Sequence, residues 1–392
     1  MQATRPVWAE INLDNLAHNI REVRRVTDKK SLVTAVIKAD GYGHGAARIG
    51  RTLLDNGADR FAVATLSEAI SLRKAFKDTP ILVLGYTPNE LAQKVIDHQL
   101  IQTVYTLEQA KFFNETAGEC STQMTVHLKL DTGMSRLGFL CDEAGTQSVV
   151  ACFSLEHLFI EGVYTHFACA DEVDKSTTHH QVSRFNQVIE AIENAGFTVP
   201  IKHVSNSAAI IDLPQYNCDM VRAGIMLYGL YPSKEVDHTA VELKEVMSLK
   251  ARISLVKTLH EGDSVSYGHI YTAKEGERIA TLPLGYADGF TRMLTGKTDV
   301  ILRGKRMRIV GKICMDQCMV SVTDESAKIG DIVTMFGTHE GAFKSIDEIA
   351  DAVGTINYEI VCMIDKRVPR HYYHKGVLVA ISDDVLKLSA ID

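Results

Sequence analysis

The chain has 392 residues, of which 46% are hydrophobic and 23% are charged. Its length suggests two or three domains, or one large barrel with a smaller partner, and its composition excludes a small module, a fibrous protein and a disordered chain. The net charge of −7 gives no general attraction to nucleic-acid phosphates or to anionic lipids. We therefore expect neither a nucleic-acid partner nor a membrane partner.

Targeting and membrane-spanning segments are not evident in the sequence. No window approaches the roughly 20 apolar residues of a spanning helix, and residues 1–10 lack the charged and apolar regions of a signal peptide. The eight cysteines form no C-x-x-C pair and are too sparse for a disulfide scaffold, so we expect them to be reduced and mostly buried. These features predict a cytoplasmic protein.

The chain opens with a helical pattern over residues 13–23, and a helix is expected to begin near Asp14. Short apolar runs then alternate with helical stretches. Eight such runs occur, at residues 33–38, 61–65, 81–84, 101–105, 124–130, 159–164, 201–204 and 219–222. Because most are far enough apart for a strand, a turn and a crossover helix, they predict an N-terminal (β/α)8 TIM-like barrel. A doubly wound parallel sheet is the alternative.

Two capping signals support the alternation of strands and helices. The segment Thr-Pro-Asn-Glu at residues 87–90 has the form of a capping box with proline at the first helical position. Thr106 and Gln109 repeat the box in the next unit. We therefore expect helices to begin at both places.

The pattern changes after about residue 243. Residues 247–255 alternate between apolar and polar, which is the period of a half-buried strand. Residues 300–302 and 307–310 flank a Gly-Lys turn and predict a hairpin, and Ser345 with Glu348 predicts a capped helix that ends at Gly354. We expect a barrel domain over residues 1–243 and a mostly-β domain over residues 244–392, with the extreme N-terminal strand a candidate to pack with the second domain.

Polar residues follow several predicted strands, at the end where side chains line the mouth of a barrel. They are Lys38 after the first strand, Lys129 to Arg136 at the fifth, His166 after the sixth, Ser205 to Ser207 after the seventh, and Arg222 at the eighth. Because the carboxyl ends of parallel strands meet at one rim, we expect these side chains to converge there.

Lys38 has two interpretations. It is either a surface lysine that follows a strand, or an amine in a partly desolvated mouth, where its charged form is disfavoured and it can form a Schiff base. Residues 205–207 and the turn at Gly224 fit a phosphate site near the last two strands, although ordinary loops contain the same residues. A lysine, a phosphate site and Arg222 facing a ring nitrogen are the set that pyridoxal phosphate requires.

A single histidine such as His166 indicates a buried core residue with hydrogen-bonded ring nitrogens more often than a metal ligand. The sequence contains no H-x-H and no H-E-x-x-H motif, and it lacks the G-x-S-x-G elbow of serine hydrolases. We therefore expect no catalytic metal and no hydrolytic triad.

Nine segments, in order and over nearly the full length, resemble bacterial alanine racemases, which are pyridoxal-phosphate enzymes of fold type III. Residues 35–45, AVIKADGYGHG, resemble the cofactor-lysine signature of this family. The other segments are residues 129–138, 165–168, 205–208, 221–225, 266–268, 285–289, 314–317 and 356–359. The resemblance implies a barrel that binds pyridoxal 5'-phosphate, a β-domain that contributes a catalytic tyrosine, and a homodimer whose active sites include residues of the partner's β-domain.

The resemblance also implies roles for individual residues. The catalytic pair is Lys38 and Tyr267. Supporting residues are Arg136, His166 as a bridge between Tyr267 and Arg222, Lys129 as the residue that orients Arg136 and in many members is a carbamate, and Cys314. The substrate-binding residues are Arg136, Met315 and Asp316. The cofactor-binding residues are Lys38, Tyr42, His166, Asn206, Ser207, Arg222, Gly224, Ile225 and Tyr358. Asp171, Tyr286 and Arg292 line the substrate passage.

The implied reaction is the interconversion of L- and D-alanine by two-base proton transfer at Cα through an external aldimine of the cofactor, which supplies D-alanine for peptidoglycan. Racemisation needs one proton-transfer group on each face of Cα, and Lys38 and Tyr267 would be these groups. Arg222 stays protonated and would leave the ring nitrogen unprotonated, which disfavours transamination and decarboxylation.

Three alternatives remain open at the level of sequence. Racemases that act on serine or on a broad set of amino acids share these motifs, and His269 and Ile270 replace residues that are more usual in the family, so a broad-specificity or serine racemase is one alternative. Lys312 stands where many members have arginine, a difference that concerns the electrostatics of substrate entry. A pyridoxal-phosphate carrier without turnover is the second, although a barrel alone would suffice for it. A basic-amino-acid decarboxylase of similar architecture is the third, and there the ring nitrogen usually faces a carboxylate.

Overall fold

The computed structural model describes residues 5–322, 326–386 and 388–390. The chain forms two compact units. The barrel unit comprises Leu16–Gly41 and Ala46–Lys244, and the β unit comprises Met1–Asn15, Tyr42–Gly45 and Glu245–Asp392.

The barrel unit contains eight parallel strands that follow one another around the sheet in chain order. They are Leu32–Val36, Arg60–Val63, Ile81–Val83, Ile101–Val104, Met124–Asp131, Leu158–Tyr164, Ile201–His203 and Met220–Ala223. The eighth strand pairs with the first, with Val221 opposite Val33. Backbone bonds from Asp219 N to Lys202 O (3.0 Å) and from Arg222 N to Ser205 O (3.1 Å) join the seventh strand to the eighth. The predicted barrel is confirmed, and the doubly wound sheet is wrong because its strand order would reverse partway across.

Helices alternate with these strands along the chain. They are Leu13–Val26, Ala46–Asp55, Leu66–Ala75, Ala92–Asp97, Leu107–Glu119, Glu143–Cys152, Ser176–Asn194 and Ser207–Asp212, with short 3-10 helices at Asn89–Leu91, Pro214–Tyr216 and Ile225–Tyr228. A two-residue strand, Phe139–Leu140, pairs with the fifth barrel strand. In the first helix Leu16, Ile20 and Val23 are buried, which is the spacing of an amphipathic helix with one core-facing side.

Two helix starts differ in detail from the sequence prediction. The first helix is capped by Asn12, whose Oδ1 accepts a hydrogen bond from Asp14 N (2.9 Å), so Asp14 lies inside the helix. Thr106 does cap its helix, because its Oγ1 accepts from Gln109 N (3.1 Å). The side chain of Gln109 is buried and does not complete the box, since its polar atoms have no partner among the described residues.

The predicted capping box at Thr87 is wrong. Thr87 is fully buried, and its hydroxyl donates to Gln102 Oε1 at 2.7 Å. Because this hydroxyl is engaged by a neighbouring strand, the chain continues as the 3-10 helix Asn89–Leu91 without a side-chain cap. The α-helix of this unit begins only at Ala92.

The β unit is built on a large sheet. Its strands are Val7–Asn12, Met247–Arg252, Leu255–Thr258, Arg278–Leu282, Asp299–Leu302, Lys305–Val310, Cys318–Ser321, Ile332–His339, Ala342–Lys344, Arg370–His374, Val377–Asp383 and Leu388–Ala390. The N-terminal strand Val7–Asn12 lies inside the sheet, antiparallel to Met247–Arg252 and parallel to Arg370–His374. The mostly-β character predicted for this part of the chain is confirmed.

The predicted hairpin and capped helix are both present in the β unit. Ile301 pairs with Arg306, and the connecting residues Arg303 and Gly304 have φ values of 51° and 71°, as a two-residue hairpin turn requires. The helix Ile346–Val353 begins with the full capping box of Ser345 and Glu348, and it ends at Gly354 with φ of 77°. The remaining helices are Asn357–Met363 and the 3-10 helices Tyr267–His269, Tyr286–Asp288 and Arg292–Leu294.

Within residues 5–322, 326–386 and 388–390, no helix combines the length and apolarity needed to cross a membrane. The same residues contain no group of three or more His, Cys, Asp or Glu side chains arranged to hold a metal ion. All eight cysteines are free thiols, and only Cys152 and Cys318 are buried. The expectation that most cysteines are buried is therefore wrong, because most of the others lie in loops or at helix ends.

Candidate active site

Lys38 lies at the start of a tight left-handed turn that follows the first barrel strand. Ala39 and Asp40 have φ values of 51° and 52°, in a region that costs a non-glycine residue about 1–2 kcal/mol. Two hydrogen bonds hold this backbone: Ala39 N donates to Glu68 Oε1 (2.6 Å), and Ala46 N donates to Asp40 Oδ1 (2.9 Å). Because such strain persists only where the surroundings enforce it, the turn fixes the point at which Lys38 leaves the strand.

Arg222 is 3% exposed and is held by backbone and ring acceptors at the ends of neighbouring strands. Nη1 donates to His203 Nδ1 (2.7 Å) and His203 O (3.2 Å). Nη2 donates to Thr165 O (2.8 Å) and Val204 O (3.0 Å) and lies 3.4 Å from His166 Nδ1. All of these bonds come from the two terminal nitrogens, so among the described residues Nε has no partner and is the donor left for a ligand.

Positive charge dominates the surroundings of Arg222. Burial lowers the pKa of Arg222 to about 10, so the guanidinium is protonated at neutral pH. Burial, together with the charges of Arg222 and Arg136, lowers the pKa of His166 well below its usual range. The Arg222 guanidinium and Lys129 Nζ lie 5.2 and 5.6 Å from the centre of the Tyr164 ring, within range of a cation–π attraction. This part of the barrel therefore favours an anionic ligand.

Lys129 is buried at the fifth strand, where its Nζ donates to Leu130 O (2.6 Å). Burial and the charge of Arg222 lower the pKa of Lys129 to about 7. Arg136 is exposed in the loop that follows the same strand. Asp131 organises that loop, because its Oδ1 accepts from the backbone nitrogens of Gly133 and Ser135, each at 3.0 Å.

The structure brings together four of the predicted cofactor-binding residues at the seventh and eighth strands. Asn206 caps the helix Ser207–Asp212 by accepting from Ala209 N (3.0 Å). Gly224 N donates to Ser207 Oγ (2.9 Å), and Ile225 begins the 3-10 helix that follows. Small side chains and the starts of two short helical segments therefore meet at one place.

Tyr42 and Tyr358 lie together in the β unit, with ring centres 6.2 Å apart. Burial raises the pKa of Tyr42, so its hydroxyl remains protonated at neutral pH. The segment 42–45 is fixed in this unit because Arg370 Nε donates to Gly43 O (3.0 Å). A Cβ at Gly43 would lie 2.5 Å from Val361 O, so only glycine allows this approach.

Tyr267 is 71% exposed on a turn of the β unit. The flanking Ser266 and His269 have φ values of 68° and 49°, so this turn is left-handed at two non-glycine positions. Ser266 Oγ donates to Lys312 O (2.7 Å), which anchors the turn. The tyrosine is thus presented outward from a fixed backbone.

Met315 and its neighbours face the same side of the β unit as Tyr267. They line one open cleft of about 740 Å³, together with Cys314 and Asp316. Tyr286 N donates to Cys314 O (3.0 Å). A Cβ on the preceding Gly285 would lie 2.3 to 2.4 Å from the carbonyl oxygens of Cys314 and Met315, so the segment is packed tightly on its support.

The predicted passage residues lie in different units. Arg292 is exposed at the start of a 3-10 helix in the β unit, close in sequence to the half-exposed Tyr286. Asp171 belongs to the barrel unit, and its backbone carbonyl accepts from Ser233 Oγ (2.7 Å).

The predicted substrate-binding residue Asp316 forms an ion pair with Arg367 (2.7 Å).

Sequence reasoning missed two residues of the barrel mouth. His203 accepts from Arg222 through Nδ1, and the Tyr164 ring stacks on His203 with centres 4.6 Å apart and planes 7° apart. A signal for both was present, because each is a polar aromatic residue at the last position of a barrel strand.

Comparison with known proteins gives the class to which this fold and site belong. The family model described as alanine racemase, N-terminal domain, matches residues 11–232, and the model described as alanine racemase, C-terminal domain, matches residues 246–372. Together they define a two-domain amino-acid racemase, which is an isomerase.

Individual alanine racemases are similar to this chain over almost its whole length. The alanine racemase of Methanococcus maripaludis is 47% identical over 94% of this chain and 99% of its own length. The solved structure of alanine racemase from Clostridium difficile 630 has a TM-score of 0.93 at 43% identity and covers 97% of this chain and 99% of its own. The structure from Bacillus anthracis with bound L-Ala-P has a TM-score of 0.93 at 33% identity and covers 99% and 100%. The chain belongs to the alanine racemase family.

The low pKa of Lys129 predicts a pH-dependent effect of the substitution Lys129→Met. The folded pKa of about 7 lies below the ordinary lysine value of about 10.4. At pH 7 and below, the folded protein therefore holds a buried charge that the unfolded chain carries in water. As pH rises toward 10 the folded state loses this proton first, so the wild type gains stability relative to the methionine variant.

The measurement is the thermal unfolding midpoint of both proteins from pH 6 to 10 in buffer free of carbon dioxide. We expect the midpoint of Lys129→Met minus that of the wild type to fall as pH rises. Lys94→Met, at an exposed helical position, is the matched control and should give a difference that does not vary with pH. The same constant difference for Lys129→Met would show that the lysine pKa is not lowered.

Proposed function

We propose that this protein is a pyridoxal 5'-phosphate-dependent alanine racemase of the cytoplasm that interconverts L- and D-alanine and supplies D-alanine for peptidoglycan. The observation that carries the proposal is the environment of Arg222, a buried and protonated arginine whose Nε is left as a donor at the mouth of the barrel. Family membership supports alanine as the substrate in preference to serine or a broad range.

The residues present fit pyridoxal phosphate. The guanidinium of Arg222 has no hydrogen-bond acceptor and can only donate. The group that meets Nε must therefore be an acceptor, such as an unprotonated ring nitrogen. Ser207 offers a hydroxyl and Ile225 a backbone N–H for the phosphate, while Gly224 N donates to the Ser207 oxygen and orients it. We assign Tyr42, Asn206 and Tyr358 to the same part of the site. The cation-rich surroundings of Arg222 suit the negative charge of the phosphate. We assign Lys38 as the residue that holds the cofactor covalently.

Bound pyridoxal phosphate would supply an electron sink that stabilises negative charge at the substrate Cα. Racemisation then requires a proton to leave one face of Cα and another to arrive at the opposite face. We assign these transfers to the Lys38 amine and the Tyr267 phenol oxygen, one for each enantiomer. Both residues are held on left-handed turns, which restricts where the proton-carrying atoms can lie.

The remaining residues would bind substrate and adjust charge. Arg136 and Met315 are assigned to the substrate carboxylate, with Asp316 and Cys314 beside them and with Lys129 orienting Arg136. Lys129 has a lowered pKa and lies near Arg222 and Arg136, so it is suited to become an anionic carbamate. The neutral amine would add to carbon dioxide and release one proton to solvent, and the two cations would stabilise the product. His166, near Arg222, is assigned as the link between Arg222 and Tyr267.

We propose that the substrate passage is lined by Asp171, Tyr286 and Arg292.

The active protein is proposed to be a homodimer in which Tyr267 of one protomer serves the barrel of the other. Tyr267, Ile270 and Met315 are all more than half exposed in the single chain, and exposed apolar groups around one cleft favour an interface. We also propose that the functional domains are residues 1–243 and 244–392, with Arg222 and Lys38 in the first and Tyr267 in the second, and with the N-terminal strand Val7–Asn12 of the first packed in the sheet of the second.

Two other functions are less well supported. A decarboxylase of similar architecture would place a carboxylate against the ring nitrogen, whereas we assign Arg222 to that position. A carrier without turnover would not need Tyr267 held outward on a strained turn. Both remain distinguishable from a racemase by their products.

The test is to incubate the purified protein with L-alanine and, separately, with L-serine in D₂O, and to follow formation of the D-enantiomer and deuteration at Cα. We expect rapid D-alanine formation and little reaction with serine. Tyr267→Phe should lower the rate by about 10²- to 10⁴-fold, the usual contribution of a general acid or base. Tyr373→Phe, a partly exposed tyrosine on another strand of the β unit, is the matched control and should react as the wild type does.

Absence of exchange with either amino acid, from protein that retains pyridoxal phosphate, would contradict the racemase assignment. Release of carbon dioxide with an amine product would favour the decarboxylase. Faster exchange of serine than of alanine would move the substrate range to the serine or broad-specificity alternative.

Mixing two inactive variants tests the shared site. A heterodimer of Lys38→Ala and Tyr267→Ala would contain one site with both substitutions and one site with neither, if each site takes its tyrosine from the partner. We expect the mixture to regain racemase activity after subunit exchange, while each variant alone stays inactive. If the mixture remains inactive although native mass spectrometry shows heterodimers, each site is contained in a single chain.

A further inference from the structure

A line of hydrogen-bonded side chains extends from Arg222 into the interior of the barrel. Arg222 Nη1 is 2.7 Å from His203 Nδ1, and His203 Nε2 is 2.8 Å from His127 Nδ1. His127 Nε2 is 2.7 Å from Glu161 Oε2, which also accepts from Arg60 Nη1 at 2.8 Å. The five residues come from five different strands of the barrel, so the line exists only because the strands are closed in this register.

The two ends of the line allow only one direction for its protons. An arginine can only donate and a carboxylate can only accept, so while the bonds at both ends are kept, His203 Nδ1 is unprotonated and the proton of this ring is on Nε2. This proton is donated to His127 Nδ1, which places the proton of His127 on Nε2, where it is donated to Glu161. Every N–H of the line therefore points from Arg222 toward Glu161.

The charges agree with this direction. Burial and the charge of Arg222 lower the pKa of His203, and burial lowers the pKa of His127, so both rings are neutral. Burial of Glu161 opposes its ionisation, but the hydrogen bonds from His127 and Arg60 outweigh this and lower its pKa to about 2. The line thus has a guanidinium at one end, a carboxylate paired with Arg60 at the other, and two neutral rings between.

The packing around the rings leaves no room for another arrangement. A Cβ at Gly162 would lie 2.7 Å from Nδ1 and Cε1 of the His127 ring, so the glycine on the neighbouring strand makes space for it. His203 is stacked on Tyr164, and both histidine rings are fully buried. Rotation of either histidine ring out of its position would break two hydrogen bonds, and each lost bond would leave a buried polar atom without a partner.

We propose that Glu161, paired with Arg60, is a positioning residue for Arg222: through His127 it fixes the tautomer of His203, which keeps Arg222 donating to His203 through Nη1 and leaves Nε directed at the ligand. Glu161 touches neither cofactor nor substrate in this scheme. The reversed tautomers would set His203 Nδ1–H against an N–H of Arg222 and would release the guanidinium. The effect on catalysis rests on the function proposed above, whereas the tautomers are a property of the barrel itself.

The first measurement uses the cofactor-free wild-type protein. Its histidines are labelled with ¹⁵N, and the ring signals are assigned with His127→Asn and His203→Asn. We expect both rings to show the neutral Nε2–H pattern, unchanged from pH 5.5 to 8.5. A cationic ring, or the Nδ1–H pattern at His203, would overturn the proposal without the need for any variant at Glu161.

The second measurement uses Glu161→Gln, which keeps the shape of the side chain but removes the charge and can offer His127 either a donor or an acceptor. We expect His203 to lose the single Nε2–H pattern and kcat for alanine to fall about tenfold, in the range for groups that orient a functional side chain. KM should change much less, because substrate contacts are intact. Glu193→Gln, which removes a partly exposed pair with Lys202 in the same unit, is the matched control.

The outcomes separate this proposal from the proposed function. If the Glu161→Gln variant has the same His203 tautomer and the same kcat as the Glu193→Gln variant, Glu161 does not position Arg222. If Glu161→Gln does not fold, the wild-type tautomers still decide the question. If the tautomers are as expected but the wild type does not racemise alanine, the proposed function fails while the positioning of Arg222 stands.

Discussion

The hydrogen bonding of one buried cation, Arg222, determines how the mouth of the barrel is arranged. A guanidinium with almost no exposure is tolerated only when its donors are satisfied. Here the carbonyl oxygens of Thr165, His203 and Val204 turn toward it from the ends of the sixth and seventh strands. The register of three strands is thereby tied to one side chain, and among the described residues Nε is the donor of this guanidinium that has no partner.

The two proton-carrying residues of the proposed mechanism lie on the same kind of backbone turn. Lys38 and Tyr267 each lie on a backbone that is left-handed at non-glycine positions, Ala39 and Asp40 in one case and Ser266 and His269 in the other. Such turns are costly, and they persist because hydrogen bonds and close packing around them compensate. The stability of each unit is thus used to hold a reactive side chain at a defined point.

The sequence was sufficient for the main architecture because hydrophobic periodicity and turn residues are local signals. It located the eight strands of the barrel, the hairpin at Gly304 and the helix between Ser345 and Gly354. It failed at Thr87, where a capping pattern was overridden by a tertiary hydrogen bond to Gln102. It also could not show that Arg60, His127 and Glu161 are aligned, because their pairing depends on strand register and on the space left at Gly162.

The most direct test of the account is a high-resolution crystal structure of the protein with pyridoxal 5'-phosphate bound. We expect Arg222 Nε to lie within hydrogen-bond distance of the pyridine nitrogen, about 2.7–3.2 Å, while Nη1 keeps its hydrogen bond to His203 Nδ1. A pyridine nitrogen that faces a carboxylate, or an Arg222 that has turned a terminal nitrogen toward the cofactor and left His203, would contradict it.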